Sequence, residues 1–155
     1  MRHQLALLLL LPMIIVSCSG AWAQADTWSD PDTGLMWAGK DNGSDANWAQ
    51  AKEYCQKLAL AGYSDWRVPT IWELEHISFK SSKVDSCYIR GDIHLSSCFI
   101  WSSSPGSIEG FGVGCGFNLS SGPGMFLVDK SDNPTSRPSR VLCVRGSGAP
   151  QGARK

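Results

Sequence analysis

No sign of charge dominates this chain: fourteen Lys and Arg balance fourteen Asp and Glu. A neutral total leaves no electrostatic footprint for nucleic acid as a general partner. No Cys-x-x-Cys occurs, which removes support for zinc ribbons and thioredoxin-type redox motifs. The Gly-x-Ser-x-Gly turn that exposes a hydrolase serine is also missing, and Ser102-Ser103-Ser104 has no such frame. There is no internal repeat. The apolar run Leu5 to Val16 is too short for a comfortable membrane span.

That run follows the short basic start Met1-Arg2-His3-Gln4, and together they read as an export signal. Two exits are open. Ala23-Gln24-Ala25 before Asp26 fits the small-x-small rule of ordinary cleavage. Ile15-Val16-Ser17-Cys18 instead resembles a bacterial lipobox, which would place a diacylglyceryl group on Cys18. Either exit takes the protein out of the cytoplasm: to the periplasm, to the outer membrane through a lipid anchor, or into the medium. Residues 26–146 then form one domain with room for a core, and 147–155 a flexible tail.

Within the mature part the charges separate. Asp26 to Phe79 holds four basic and nine acidic residues; from Lys80 onward there are nine basic and five acidic. The basic second half permits an anionic ligand on one face, although mixed charge more commonly just keeps a surface soluble. Five cysteines remain outside the signal, and in an exported protein they are disulfide candidates first. Spacing alone does not fix their connectivity. The preferred pairs are Cys55 with Cys143, tying the first helix to the last strand, and Cys87 with Cys98, closing a short loop. Cys115 is left over.

Apolar runs on either side of Asp30-Pro31-Asp32-Thr33-Gly34 read as an edge hairpin. Trp48, Ala51, Cys55 and Leu58 recur at helical spacing, which predicts a helix from about Asn47 to Ala61. Gly62 is placed to close it in the left-handed conformation. Thr70, with Glu73 three residues on, opens a second helix from Ile71 to about Phe79 through a capping box. After Ser81 helical periodicity stops, and short apolar runs end in Gly, Ser and Pro. Strands are expected at Cys98–Trp101, Phe111–Leu119, Met125–Val128 and Arg140–Arg145. Helices segregated from antiparallel strands define an α+β fold.

Four pieces, taken together, resemble one family. They are Thr33-Gly34-Leu35-Met36-Trp37; Trp48 with Ala51 and Cys55; Gly62 to Thr70 with Glu73-Leu74; and Trp101-Ser102-Ser103 with Val141-Leu142-Cys143-Val144-Arg145. Over Thr27 to Arg145 the chain is similar to the Lcl C-terminal domain family, named for a collagen-like bacterial adhesin. The resemblance implies a C-type-lectin-like fold, with two helices packed on twisted antiparallel strands and long loops. The naming adhesin is associated with sulfated polysaccharides and attachment, but most members have no assigned biochemistry, so function transfers poorly. This chain has no Gly-X-Y repeat, so triple-helical multivalency is not expected. It also lacks the Glu-Pro-Asn, Gln-Pro-Asp and Trp-Asn-Asp signatures of calcium-dependent lectins, and Asp132-Asn133-Pro134 does not replace them.

The candidate sites follow. Asp65 and Arg67 flank Trp66 and could clamp a ligand; holding the connector by ion pairs or backbone bonds is the commoner role. Trp37, Trp48 and Trp101 could stack on sugars, but their apolar surroundings favour core packing. Lys130, Arg137 and Arg140 could meet sulfate or carboxylate groups, as arginine's planar fork suits oxyanions. His76 and His94 have no nucleophile beside them, and Glu73 and Glu75 point different ways on a helix. No cofactor, metal or catalytic set is expected. The reading is an exported binding module whose partner is a polysaccharide or an envelope or host surface protein. The alternative is a structural subunit of an envelope assembly, with no glycan ligand.

Overall fold

The computed structural model describes residues 26–79, 82–108, 111–120, 124–128 and 139–147. The stretch expected to be an export signal, with Cys18, the basic residues Lys130 and Arg137, and the end of the expected tail lie outside them. The elements are β1 (Thr27–Ser29), β2 (Met36–Ala38), α1 (Trp48–Lys57), α2 (Ile71–Ile77), β3 (Lys83–Val84), β4 (Cys87–Tyr88), β5 (Phe99–Ile108), β6 (Phe111–Asn118), β7 (Gly124–Val128) and β8 (Val144–Arg145). They build three antiparallel sheets, ordered β1-β2-β8, β3-β4 and β5-β6-β7. Two helices with small antiparallel sheets make the protein α+β.

The first hairpin forms because Asp30 organises its own turn. Its carboxylate accepts from the Asp32 N–H at 3.1 Å and the Thr33 hydroxyl at 2.5 Å, and its backbone exchanges bonds with Gly34 and Leu35. Gly34 supplies the positive φ of 71° that closes the turn. Trp37, at the centre of β2, faces Trp28 on one side and Val144 on the other, so the last strand completes the sheet begun by the first.

Both helices open with capping boxes. Asn47 and Gln50 exchange bonds of 2.8 Å, and the Thr70 hydroxyl accepts from Glu73 N–H while the Glu73 carboxylate accepts from Thr70 N–H at 2.7 Å. The first helix is shorter than its periodicity suggests. It ends at Lys57, and Leu58 is already extended, so Gly62 does not cap it. Instead Ala61 and Gly62 both have positive φ, and Leu60 and Tyr63 exchange two backbone bonds of 3.0 Å. This is a tight two-residue hairpin turn, the geometry that demands left-handed residues. Gly62 is left-handed as expected, but it serves this hairpin turn and not a helix end.

In the second half, β5 runs on well past the expected Trp101, with an irregularity between Ser102 and Pro105, while β6 matches its expected run to within one residue. The final expected strand shrinks to Val144–Arg145, and Arg140 makes an isolated parallel bridge to Ile100. The hairpin β3-β4 had no sequence expectation; at two residues per strand it is below the length at which alternation can be read. The core is continuous across these sheets. Ala51 and Cys55 from α1 and Leu74 and Ile77 from α2 reach it, together with Ile89, Ile93, Ile100 and Leu142. The Trp28 ring lies against Gly91, whose φ is +76°; a Cβ there would come within 2.3 Å of the indole. Only glycine meets both constraints.

Two disulfides close this framework. Cys55 joins Cys143 across 88 residues, and Cys87 joins Cys98 across 11. In the chain-entropy account the longer closure stabilises by about 4–5 kcal/mol and the shorter by about 3 kcal/mol. Cys115 lies buried in β6 and takes part in neither.

Candidate functional site

The connector from Leu60 to Thr70 is a joint between the start and the end of the chain. Arg67 and Val144 exchange backbone bonds of 2.8 and 2.9 Å, which extends the first sheet by one bridge. Trp66 is buried beneath this joint, and its indole N–H reaches the carbonyls of Tyr63 at 3.2 Å and Leu60 at 3.4 Å. The Arg67 guanidinium then grips Glu73 with two bonds of 2.6 and 2.8 Å and the Gly146 carbonyl with a third of 3.0 Å. Burial alone would raise the Glu73 pKa; the Arg67 fork and the Thr70 N–H outweigh it and hold the carboxyl below its ordinary value. The same fork holds Arg67 up. Asp65 turns outward and pairs with Arg145 at 2.7 Å, while Arg145 stacks over the Tyr63 ring at 3.5 Å. Asp65 and Arg67 therefore have different partners, and both partnerships fix the connector.

A second joint involves Arg140. Asp41 is buried, and its carboxylate accepts from the N–H and hydroxyl of Ser96 and from the N–H of Gly43. The Ser96 oxygen in turn accepts from Arg140 Nε at 2.9 Å, and Arg140 Nη1 pairs with Asp45. Asn42 adds a backbone and a side-chain bond to Val141. Two of the three nitrogens in the Arg140 fork are thus occupied by protein oxygens. Lys130 and Arg137, its proposed companions, lie outside the described residues, so the basic trio is not assembled here. Sequence reading missed Asp41, though Asp41-Asn42-Gly43 carries a signal: Asp and Asn two residues before Gly favour side-chain-to-backbone turns.

A third cluster joins the first hairpin to α2. Asp30 is fully buried, and His76 Nε2 lies 3.2 Å from its carboxylate. Asp32 pairs with Arg90 at 2.7 Å, and Arg90 Nη1 lies 3.5 Å from His76. The ligand atoms of Asp30, Asp32 and His76 fall within 4.8 Å of one another, a spacing open to a metal ion. Arg90 already brings a positive charge against these carboxylates, which makes the cluster a clasp with its own counter-ion. His94 sits between Asp92 at 3.1 Å and Asp85 at 3.4 Å.

The charge separation of the sequence finds its physical meaning in these contacts. Asp32–Arg90, Asp45–Arg140 and Asp65–Arg145 each join a carboxylate of the acidic first half to an arginine of the basic second half. The halves are complementary to each other.

Of the tryptophans weighed as sugar platforms, Trp101 is buried and donates to the Ala46 carbonyl at 2.6 Å. Trp48 donates to the Ser102 carbonyl at 3.0 Å and carries Lys52 over its ring. Trp37 is fully buried, with no acceptor for Nε1 among the described residues. Among the described residues the exposed aromatics are others: Trp72 on α2, at 70 % relative exposure, with Phe79, Tyr54 and Tyr63. No helix among the described residues is long and apolar enough to cross a membrane.

A family model described as the Lcl C-terminal domain matches residues 26–145, and the chain belongs to that family. The match spans every described element. No curated protein and no solved structure shows a significant match.

Proposed function

We propose that the protein is an exported binding module of the bacterial envelope, built on a C-type-lectin-like scaffold and presenting its loops to a surface polysaccharide. The observation that carries this reading is the pair of disulfides, one of which ties α1 to the end of the chain. Such bonds persist in oxidising compartments outside the cytoplasm, which agrees with the signal-like start. The three ion pairs between the halves and the two backbone joints support a scaffold role for the described part. A rigid frame with variable loops is how binding modules separate stability from recognition. With Arg140 engaged by Asp45 and Ser96, a polyanion would be met by Lys130 and Arg137. The test is binding of oxidised protein to whole cells and to heparin at low salt. Retention that falls in Lys130→Ala/Arg137→Ala supports the polyanion form. Absence of binding to cells and to heparin rejects the module. Fractionation with labelled palmitate reports the anchor, which Cys18→Ala removes if the lipobox is used.

A specific observation also favours the second reading, a protein-interaction subunit with no glycan. Trp72 and, near the end of α2, Phe79 leave large apolar surface in water. Crosslinking in cells followed by mass spectrometry would find a stoichiometric protein partner, lost in Trp72→Ala.

A further inference from the structure

The outer side of α1 holds a concavity of about 390 Å³ lined by Gln50, Glu53, Tyr54, Lys57, Leu58 and Ala59. Four of these recur along one helix face, and the last two belong to the extended segment that leaves the helix. The floor is rigid for reasons already given. Cys55, on the buried side of the same helix, is bonded to Cys143, and the capping box fixes the first turn.

The chemistry of the lining is mixed in a particular way. Tyr54 offers a ring at 40 % exposure, a flat apolar face with a hydroxyl at its edge. Burial, and after it the charge of Asp41, push its phenol up, so that hydroxyl stays neutral at ordinary pH. Gln50 uses its carbonyl oxygen to accept from Asn47 N–H, which orients the amide and turns the NH2 to other acceptors. Glu53 and Lys57 meet at 2.5 Å and cancel each other's charge. The rim therefore carries donors and acceptors with no net charge to attract an ion. A pyranose ring presents the matching features: an apolar C–H face, surrounding hydroxyls and no charge.

We propose that this concavity is a subsite for an uncharged sugar residue, stacked on Tyr54 and hydrogen-bonded by Gln50 and the Glu53–Lys57 pair. This rests on the binding-module reading and names the ligand chemistry of one place on it. Preorganisation by the cap and the disulfide lowers the ordering cost of binding.

The experiment titrates 15N-labelled, oxidised mature protein with methyl glucoside, methyl galactoside and N-acetylglucosamine, with a heparin disaccharide as the anionic comparator. A neutral sugar is expected to shift amides between Gln50 and Ala59. Tyr54→Ala should weaken that binding about fivefold to tenfold, and Tyr54→Phe by no more than about twofold. Ala59→Trp, which fills the concavity from an exposed position, should abolish it while leaving the remaining spectrum intact. The subsite is rejected if no neutral sugar perturbs α1, if binding survives both Tyr54→Ala and Ala59→Trp, or if only the heparin disaccharide binds. Rejection with cell binding retained overturns the subsite alone; loss of cell binding in the unmodified protein overturns the module as well.

Discussion

Two stretches of the acidic half grip the same late segment, 139–146, by different physics. The connector around Arg67 relies on a backbone ladder to Val144, and its charged groups lie at the margin, with the Asp65 side chain 60 % exposed. The loop around Asp41 instead places a carboxylate out of water and satisfies it with Ser96 and Gly43. The first joint has redundancy, because the ladder holds if an exposed pair is lost. The second also has backbone bonds, from Asn42 to Val141 and from Ala46 to Ser139, but its buried carboxylate has little slack, because that group and its donors depend on each other. Solvent-exposed pairs contribute little, whereas a buried group left unpartnered carries its full desolvation penalty.

Removing the covalent tie between α1 and the late segment should have the largest effect. Cys55→Ser/Cys143→Ser is expected to lose about 4 kcal/mol in urea unfolding, against about 3 kcal/mol for Cys87→Ser/Cys98→Ser. Equal losses, or the reverse order, would mean that the short loop and not the joint dominates.

Asp41→Ala comes next. It strips the partner from Ser96 N–H, Ser96 hydroxyl and Gly43 N–H, and should cost about 2–4 kcal/mol. Asp65→Ala at the other joint should leave the unfolding midpoint within experimental error. A comparable loss in both variants would erase the distinction between the joints.

Acid sharpens the comparison through Glu73. Its folded pKa lies below the unfolded value, so the native state favours the charged form. The stability this contributes is fully present above the unfolded carboxyl value, near pH 4.5, and is lost as pH falls through the lower folded value. Glu73→Gln should therefore unfold more readily near neutrality, by about 1–2 kcal/mol, with a shallower decline below about pH 4.5. A variant whose acid limb parallels that of the unmodified protein would show that Arg67 does not stabilise the Glu73 anion.

The elements that were legible in the sequence are those whose signals are local. Thr70-x-x-Glu73 announces its capping box because both partners lie within one turn, and Asp30 to Gly34 announces its turn for the same reason. Gly62 shows the limit: its positive φ was legible and that of Ala61 was not, because whether the pair ends a helix or turns a hairpin depends on where α1 frays, which packing decides. Asp41 and Ser96 lie 55 residues apart, and Asp65 and Arg145 lie 80 apart. No local pattern carries such pairings. The charge asymmetry between the halves was visible and fitted either an anionic ligand or plain surface solubility; the pairing of the halves with each other depends on the fold. The concavity on α1 was invisible because Gln50, Glu53, Tyr54 and Lys57 read only as a polar helix face.

The smallest contrast concerns two buried indoles. Trp101 donates to the Ala46 carbonyl at 2.6 Å, next to the Asp41 joint, whereas Trp37, between the strands of the first sheet, has an N–H with no acceptor among the described residues. Replacing Trp by Phe removes the N–H and part of the ring in both places, so the packing losses are similar and the polar terms differ. At Trp101 the change breaks a bond and strands a carbonyl, adding about 1 kcal/mol to the packing cost. At Trp37 it deletes a buried donor that already bore its desolvation penalty, and this offsets part of the packing loss. Trp37→Phe should therefore be the milder variant by about 1–2 kcal/mol in chemical denaturation. If it proves the more damaging, the Trp37 N–H has a partner in the folded protein, and the first sheet is held by a bond that its strands alone do not supply.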